Sequence, residues 1–418
     1  MNPISPADAA VGPIVVAFSG GLDTSFLVPF LRERTQSPIV TVTVDTGGLD
    51  DAARDRIAAR SARLGASAHR LIDARNTYFD ETLRFLVMGN VLRGHVYPLC
   101  VGAERTLQAR KVAEVAVLMG ASAVAHGSTA AGNDQVRFEV ALRTLAPGLG
   151  ILAPIRDEGF QRAQEVAWLT ERGFGDLDFS KAAYSVNVGL WGCTIGGRET
   201  TDTVETLPEH AWVLTQGAFA APPAPRTVRV GFTEGVPTSL DGENLAPVAL
   251  IERISALAAS FGIGRGIHLG DTIFGLKGRV AFEAPAAAVL LTTHRELEKL
   301  TLTARQQRVK DQLAVVYGDL VHEAQHLEPT CRDIEAHFLS SQRRVSGEVG
   351  VRLLPGSLFV EGVSSPFSLR DASTGVYGEA AGEWSAQDAR GFSRMLALPS
   401  MLHARAGQTA ATLSKVSP

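Results

Sequence analysis

The chain has 418 residues, a formal net charge of −4, and 45% hydrophobic against 20% charged residues. That length suits two domains and at least one large core. The charge excludes a basic nucleic-acid footprint or a cationic membrane face, and no apolar run approaches the ~18 residues of a membrane-spanning helix. Three cysteines, Cys100, Cys193 and Cys331, show no C-x-x-C spacing. A sparse, odd set points to a reducing, cytoplasmic setting without structural disulfides. The opening residues 1–12 lack a basic stretch followed by an apolar one, so no signal peptide is expected there, only a short disordered lead.

From residue 13 the chain alternates in period. "IVVAFS" and "PIVTVTVD" (38–45) are continuous apolar strands, and "LDDAARDRIAARSARLG" (49–65) is an amphipathic helix with Asp at its start and Gly at its end. "ASAHRLID" is strand-like, 103–120 is helical up to Gly120, and "ASAVAHG" is a strand. "NDQVRFEVALRTLAP" is a helix, "GILAPI" a strand and "FQRAQEVAWLTERG" a helix. Strands alternating with helices of this length predict βαβ units, hence an α/β domain with a mostly parallel sheet covered on both faces. The texture changes after about 180. A Pro/Ala-rich stretch leads into strand-like alternation, "APVALIERISALAASFGIG" is a helix, and 286–321 reads as one long helix. "GEVGVRLLPGSLFVEGVSS" reads as an antiparallel hairpin, and "EWSAQDARGFSRMLALPSMLHARA" as a late amphipathic helix interrupted near Pro399. The expected organisation is a lead (1–12), a nucleotide-binding domain (13–180), a second α+β domain (181–383) and a C-terminal oligomerisation helix and tail (384–418).

The first strand ends in Ser19-Gly20-Gly21-Leu22-Asp23-Thr24-Ser25. Ligands of open parallel sheets bind at the carboxyl ends of strands. Gly20 and Gly21 permit a tight turn that offers bare N–H groups, the following helix start favours an anion, and Ser19, Thr24 and Ser25 add hydroxyls. A phosphate or pyrophosphate suits such a site. The loop lacks the Lys of G-x-x-x-x-G-K-[ST] and is not G-x-G-x-x-G. A capped glycine turn with no ligand would use the same residue types. S-G-G-x-D-[ST]-[ST] after a first strand resembles the PP-loop of ATP pyrophosphatases, of the adenine nucleotide alpha hydrolase-like fold.

Further stretches carry a longer resemblance: "YPLCVGAERTLQARK" (97–111), "VAHGSTAAGNDQVRFE" (124–139), "YSVNVGLWG" (184–192), "FGIGRG" (261–266), "GLKGRVAFEAP" (275–285) and "RVSGEVGVRLLPGS" (344–357). Together with "AFSGGLDTS" they resemble the argininosuccinate synthase family, collinearly from about 13 to 400. The resemblance implies a PP-loop domain, a synthetase domain, a C-terminal helix that helps build a homotetramer, and a two-step reaction. A ureido oxygen attacks the α-phosphorus of ATP and pyrophosphate leaves; the amine of aspartate then displaces AMP. Mg2+ accompanies ATP. By the same resemblance Ala17, Phe18, Ser19, Gly20, Gly21, Leu22, Asp23, Thr24, Ser25, Val44 and Gly127 would hold ATP. Thr129, Asn133 and Asp134 would hold aspartate. Tyr97, Gly102, Asn133, Arg137, Ser185, Thr194, Gly270 and Phe282 would surround the acceptor. Ser19, Asp23, Arg105 and Asp134 would act in catalysis. A metal site built by the protein itself is not expected, and neither is nucleic acid or a membrane as partner.

The departures from the family pattern cluster on positions that the resemblance assigns to citrulline. "YPLGTSLARP" is replaced by "YPLCVGAERT"; an Asp-Glu-Asn run by Asn187-Val188-Gly189; a glutamate by Gly270; a tyrosine by Phe282; and a Gly-Lys by Ala130-Ala131. Loss of several polar contacts weakens binding of the old ligand. The expectation is an ATP- and aspartate-using ligase whose ureido or amide acceptor is not citrulline, feeding a lyase that splits the N-succinyl adduct. A genuine argininosuccinate synthase with compensating residues, and a catalytically weakened paralogue, are the alternatives. Other PP-loop enzymes act on tRNA or carry a glutaminase, and would show cysteine pairs, a basic RNA-binding face or a further domain.

"HEAQH" (322–326) matches the zincin spacing H-E-x-x-H, but the position for a third histidine holds Arg332. Surface histidines at a helix end are the expected reading. Cys100 and Cys193 either line the acceptor pocket or pack as small apolar residues. His126 either approaches ATP or packs at a strand end. Trp191 is expected in the core. Lys277 and Arg279 are expected on phosphate, on carboxylate or in surface ion pairs.

Overall fold

The computed structural model describes residues 12–177, 184–379 and 381–416. The expected lead, up to residue 11, and the expected boundary near 180 lie outside the described residues. The fourteen strands among the described residues are β1 (Ile14–Ala17), β2 (Ile39–Asp45), β3 (Ala68–Asp73), β4 (Ala123–Ala125), β5 (Gly150–Leu152), β6 (Ser185–Gly189), β7 (Gly192–Gly196), β8 (Arg226–Thr233), β9 (Val236–Leu240), β10 (Glu243–Asn244), β11 (Arg265–Asp271), β12 (Lys277–Glu283), β13 (Gly347–Leu354) and β14 (Ser357–Ser364).

The first sheet has the order β3-β2-β1-β4-β5, and every pairing is parallel. Parallel neighbours require crossovers, and helices Leu22–Arg34, Asp51–Arg63, Arg105–Leu118 and Asn133–Leu145 serve them. Successive strand residues point to opposite faces, so a strand covered on both sides must be apolar throughout. Ile14 and Val16 join Phe26, Leu27 and Leu64 on one face. Val15 and Ala17 join Val112, Ala116 and Val124 on the other. That double cover is why "IVVA" carries no polar residue. The strand order reverses between β1 and β4, and this reversal creates a crevice at their carboxyl ends.

Beyond residue 184 the strands pair antiparallel. β11-β12-β7-β6 form a four-stranded sheet, and β10-β9-β8-β13-β14 a five-stranded one. Helices Pro247–Ser260 and Pro285–Thr301 pack on the five-stranded sheet, while Ala304–His322 and Pro329–Gln342 pack on each other and on the helix Arg84–Gly89. The single helix expected over 286–321 is two. Thr303 caps the second through a reciprocal bond with Gln306, and this polar junction breaks the periodic run. "GILAPI" is a strand only as far as Leu152, because Pro154 opens the next helix. A helical stretch from Arg75 to Gly89, with one wide turn at Phe79–Leu83, escaped the sequence reading.

One compact unit ends at Phe367 and a second begins at Ser368. In the second, the helix Ala386–Val416 continues through Pro399, contrary to the expected interruption. Its Phe392, Met395, Leu396, Met401 and Leu402 are exposed.

A buried polar network ties four helical segments of the first unit. The Lys310 ammonium, fully buried, lies 3.0 Å from Glu298 and donates to the carbonyls of Met88 and Gly89. Glu298 also accepts from Asn90 and Gln342, each at 2.6 Å, and His294 bridges those two amides. These side chains are all buried, so removing one charge strands the other. Lys310→Met is expected to lower the unfolding free energy by about 3 kcal/mol, read by urea denaturation.

Candidate active site

The crevice at the β1/β4 switch point opens into a cavity of about 1120 Å³. Ala17, Phe18, Ser19, Gly21, Leu22, Asp23 and Thr24 form one wall, and Val44 and the 45–48 turn after β2 continue it. The loop is braced internally. The Thr24 hydroxyl meets Ser19 Oγ at 3.2 Å and accepts from the Ser19 N–H, while Ser19 Oγ accepts from the Gly21 N–H. Gly20 and Ser25 depart from expectation. Gly20 has φ +76°, faces Ile57, and its carbonyl accepts from Arg60. Ser25 is fully buried, one turn inside the helix. Neither lines the cavity; both shape the bend rather than face a ligand. The Asp23 carboxyl is turned toward Glu165.

The second wall comes from the end of β4 and the helix it feeds. His126, Gly127, Ser128, Thr129, Asn133, Asp134 and Arg137 line it. Gly127 has no room for a side chain: a Cβ there would lie 3.1 Å from the Asp23 Cβ and 3.2 Å from the Thr24 Cγ2. His126 is buried at the strand end, its Nδ1 accepts from the Ser128 N–H, and burial lowers its pKa to about 4. Asn133 accepts from the Ile273 N–H at 3.0 Å, which ties this helix start to the β11–β12 turn.

Asp134 is clamped on both oxygens, by Arg105 Nε at 2.9 Å and Arg137 Nη1 at 2.7 Å. Burial works to raise its pKa, but the two guanidinium groups together outweigh it and bring the carboxyl to about 2. Arg105 also donates to Glu104, Gln108 and Asn187. Arg137 sends Nε and Nη2 to the carbonyl of His322, where the helix Ala304–His322 ends. Gly102 leaves room for that guanidinium, since a Cβ there would stand 3.1 Å from Nη2. Beneath Arg105, Glu104 accepts from the Thr46 hydroxyl at 2.7 Å, and burial raises its pKa to about 7.

The far wall is one face of the β11-β12-β7-β6 sheet. Cross-strand partners share a face, so Gly270 and Gly278, His268 and Val280, and Asn187 and Thr194 stand side by side, with Ser185 two residues from Asn187. Ser185, Thr194 and Gly270 line the cavity, as does Tyr97. Phe282 lies on the same face but not on the cavity. It is 4% exposed, tilts against Tyr97 at 5.2 Å, and occupies the space above Gly266. Its ring fills core, which corrects its assignment to the acceptor. His268 stacks on Tyr97 and covers Gly270, whose Cβ would fall 2.4 Å from Nε2.

Cys100 and Cys193 are buried and off the cavity; Cys100 donates to the Cys193 carbonyl and Cys193 to Glu283. They are packing residues. His322 and His326 are each 7% exposed, not on the surface, and no metal-competent cluster of three or more such side chains occurs among the described residues. His326 meets Tyr317, while His322 lines the cavity. Trp191 is buried, with its indole N–H on the Pro98 carbonyl. Lys277 pairs with Asp271, and Arg279 donates to the carbonyls of Glu199, Asp202 and Glu205. The sequence reading missed Thr46, Glu104, Gln108, Arg162 and Glu165 around the site. Glu104 and Gln108 fall inside the stretch 97–111 without a role assigned by the resemblance, and Thr46, Arg162 and Glu165 sit outside every motif quoted above. Only an expectation that buried charges come paired could have pointed to Glu104.

A phosphate-type loop at a switch point, facing a helix start that carries an arginine-clamped carboxylate, defines a nucleotide-binding α/β enzyme with an added antiparallel domain. Family models agree: residues 13–175 match the arginosuccinate synthase N-terminal HUP domain, and 184–403 the arginosuccinate synthase C-terminal domain. The chain belongs to the argininosuccinate synthase family and is an AMP-forming carbon–nitrogen ligase. It is 40% identical over 399 residues to the argininosuccinate synthase of Xanthomonas campestris, covering 94% of this chain and 98% of the relative. It is 38% identical over 394 residues to that of Pyrobaculum aerophilum, covering 93% and 97%. The family is ATP-dependent and uses aspartate. No helix among the described residues is long and apolar enough to cross a membrane.

Two outcomes follow from this geometry. Gly127→Ala is expected to displace the loop at Asp23 and Thr24 and raise the KM for ATP by about tenfold, measured by initial rates. Glu104 has its folded pKa raised above its unfolded value. Its contribution to stability is complete below the ordinary carboxylate range and is lost as pH rises toward about 7. Glu104→Gln should therefore gain on the parent by on the order of 2 kcal/mol between pH 5 and pH 8, read by denaturant unfolding at both values.

Proposed function

We propose that the protein joins aspartate to the ureido carbon of citrulline at the expense of ATP, giving argininosuccinate, AMP and pyrophosphate. One observation carries this reading: the loop after β1 and the Asn133–Asp134 helix start open on the same cavity, in a chain that matches relatives of that name over nearly its whole length. The N–H groups of the loop and the start of the helix Leu22–Arg34 hold the phosphates, with Ser19 and Thr24 adding hydroxyls. Gly127 lets the β4 end approach the nucleotide. The ureido oxygen attacks the α-phosphorus in line, and the oriented N–H groups take the charge of the leaving pyrophosphate. Thr129, Asn133 and Asp134 hold aspartate, with its amine directed at the activated carbon. Tyr97, Gly102, Arg137, Ser185, Thr194 and Gly270 bound the acceptor space. Arg105 holds the Asp134 carboxylate ionised and in place. Mg2+ would arrive with ATP and neutralise phosphate charge. Without a ligand cluster among the described residues, the phosphates themselves would be its main donors.

A second reading, an acceptor other than citrulline, is favoured by one observation. Asp271, next to Gly270, is already paired with Lys277, and His268 occupies the space over Gly270. An α-ammonium would find no uncommitted counter-charge among the described residues there, so a ureido compound without an amino group would suit the wall better. On either reading a lyase that splits the N-succinyl product is the natural successor. The exposed apolar row on the helix Ala386–Val416 supports a homotetramer, and the sparse buried cysteines a cytoplasmic setting.

Incubation with Mg·ATP, aspartate and citrulline is expected to yield AMP and pyrophosphate in step with argininosuccinate. AMP formed with 5-ureidopentanoate but not with citrulline would transfer the assignment to the second reading. No AMP with either would end the ligase assignment. Asp134→Asn should lower kcat/KM for aspartate by on the order of 100-fold, with the KM for ATP changed far less.

A further inference from the structure

The carboxyl pair beneath the phosphate loop has no part in the reaction scheme. Asp23 stands in the first turn of the helix Leu22–Arg34 and lines the cavity. Its carboxyl faces that of Glu165, on the helix Arg162–Glu171, which packs against the first. Glu165 is 2% exposed, and its buried Oε2 has no hydrogen-bond donor among the described residues. Two carboxyl groups can hydrogen-bond only if one keeps its proton. Gly127 closes over the Asp23 Cβ from the β4 side.

We propose that Glu165 is a positioning residue for the nucleotide: it shares one proton with Asp23, and that proton keeps the loop from presenting two negative charges to a triphosphate. The proposal rests on the reading of residues 19–24 as the ATP phosphate loop. The groups that face the pair are few. Arg162 lies one turn before Glu165 and lines the cavity, and its charge works against burial by favouring the ionised form of both carboxyls. Arg60, from the helix Asp51–Arg63, is engaged with the Gly20 carbonyl. His126, at the β4 end, stays neutral because burial holds its pKa low. Burial, followed by the charge of Asp23, raises the pKa of Glu165, and burial raises that of Asp23 as well. Bound phosphates add negative charge beside Asp23 and hold the proton more firmly. ATP binding therefore takes up protons at pH values where the free pair has begun to lose its own, and affinity falls as pH rises through that titration.

Calorimetry of ATP binding with excess Mg2+, in two buffers of different ionisation enthalpy, tests this without aspartate or acceptor. Between pH 7.5 and pH 9 the Kd of the parent protein should rise by about three- to tenfold, with proton uptake at the upper pH. Glu165→Gln keeps a neutral hydrogen-bond donor against Asp23, so its Kd should be flat over that range. A flat parent profile without proton uptake overturns the proposal, even if the variant does not fold. So does a variant that follows the parent's slope. Absence of ATP binding at every pH instead defeats the phosphate-loop reading, and this proposal falls with it.

Discussion

The structure turns on the side-by-side parallel pairing of β1 and β4 at the point where the strand order reverses. Chains leaving adjacent strands at that point depart to opposite faces, and the crevice between them has no side chains of its own to fill it. Two helix starts, at Leu22 and Asn133, are thereby brought to one rim. Each offers unpaired N–H groups and a partial positive charge. A site for a polyanion and an amino acid follows from this topology before any particular side chain is considered.

Side chains then convert the rim into a site with directional chemistry. Asp134 lies between Arg105 and Arg137, and Arg137 in turn grips the carbonyl that ends the helix Ala304–His322. This chain of contacts crosses from the parallel-sheet layer to the helix Ala304–His322. Asn133 makes a second crossing through its bond to Ile273. The far wall is thus held in register with the loop by hydrogen bonds from the site's own residues. Mechanical support and recognition are not separate here, because the carboxylate proposed to orient aspartate is also a strut.

Charge near the loop is managed differently from charge near Asp134. Around Asp134, cations outweigh burial and the carboxyl is ionised far below neutrality. At Glu165 and Glu104, burial outweighs the available partners and the protonated form is favoured toward neutral pH. The contrast follows from position. Asp134 has two guanidinium groups in contact, whereas Glu165 faces another carboxyl, and Glu104 shares Arg105 with Asp134.

Much of this was open to a reading of the sequence. Apolar strands that must be covered on both sides, helices between them, and the glycine-and-hydroxyl bend after "IVVAF" carry the α/β class and place the loop. Local spacing alone puts Asn133, Asp134 and Arg137 on one helix start. Sequence could not tell which way a loop residue points: Gly20 and Ser25 belong to the bend's support, and Phe282 to the core under Tyr97. It could not anticipate that His268 lies over Gly270, or that the Glu165 carboxyl, more than a hundred residues from Asp23, comes to face it. Period and turn chemistry are local, so the chain itself determined the elements and the ends at which a ligand could bind. Partners distant in sequence, and the burial that sets their protonation, exist only once the layers have packed.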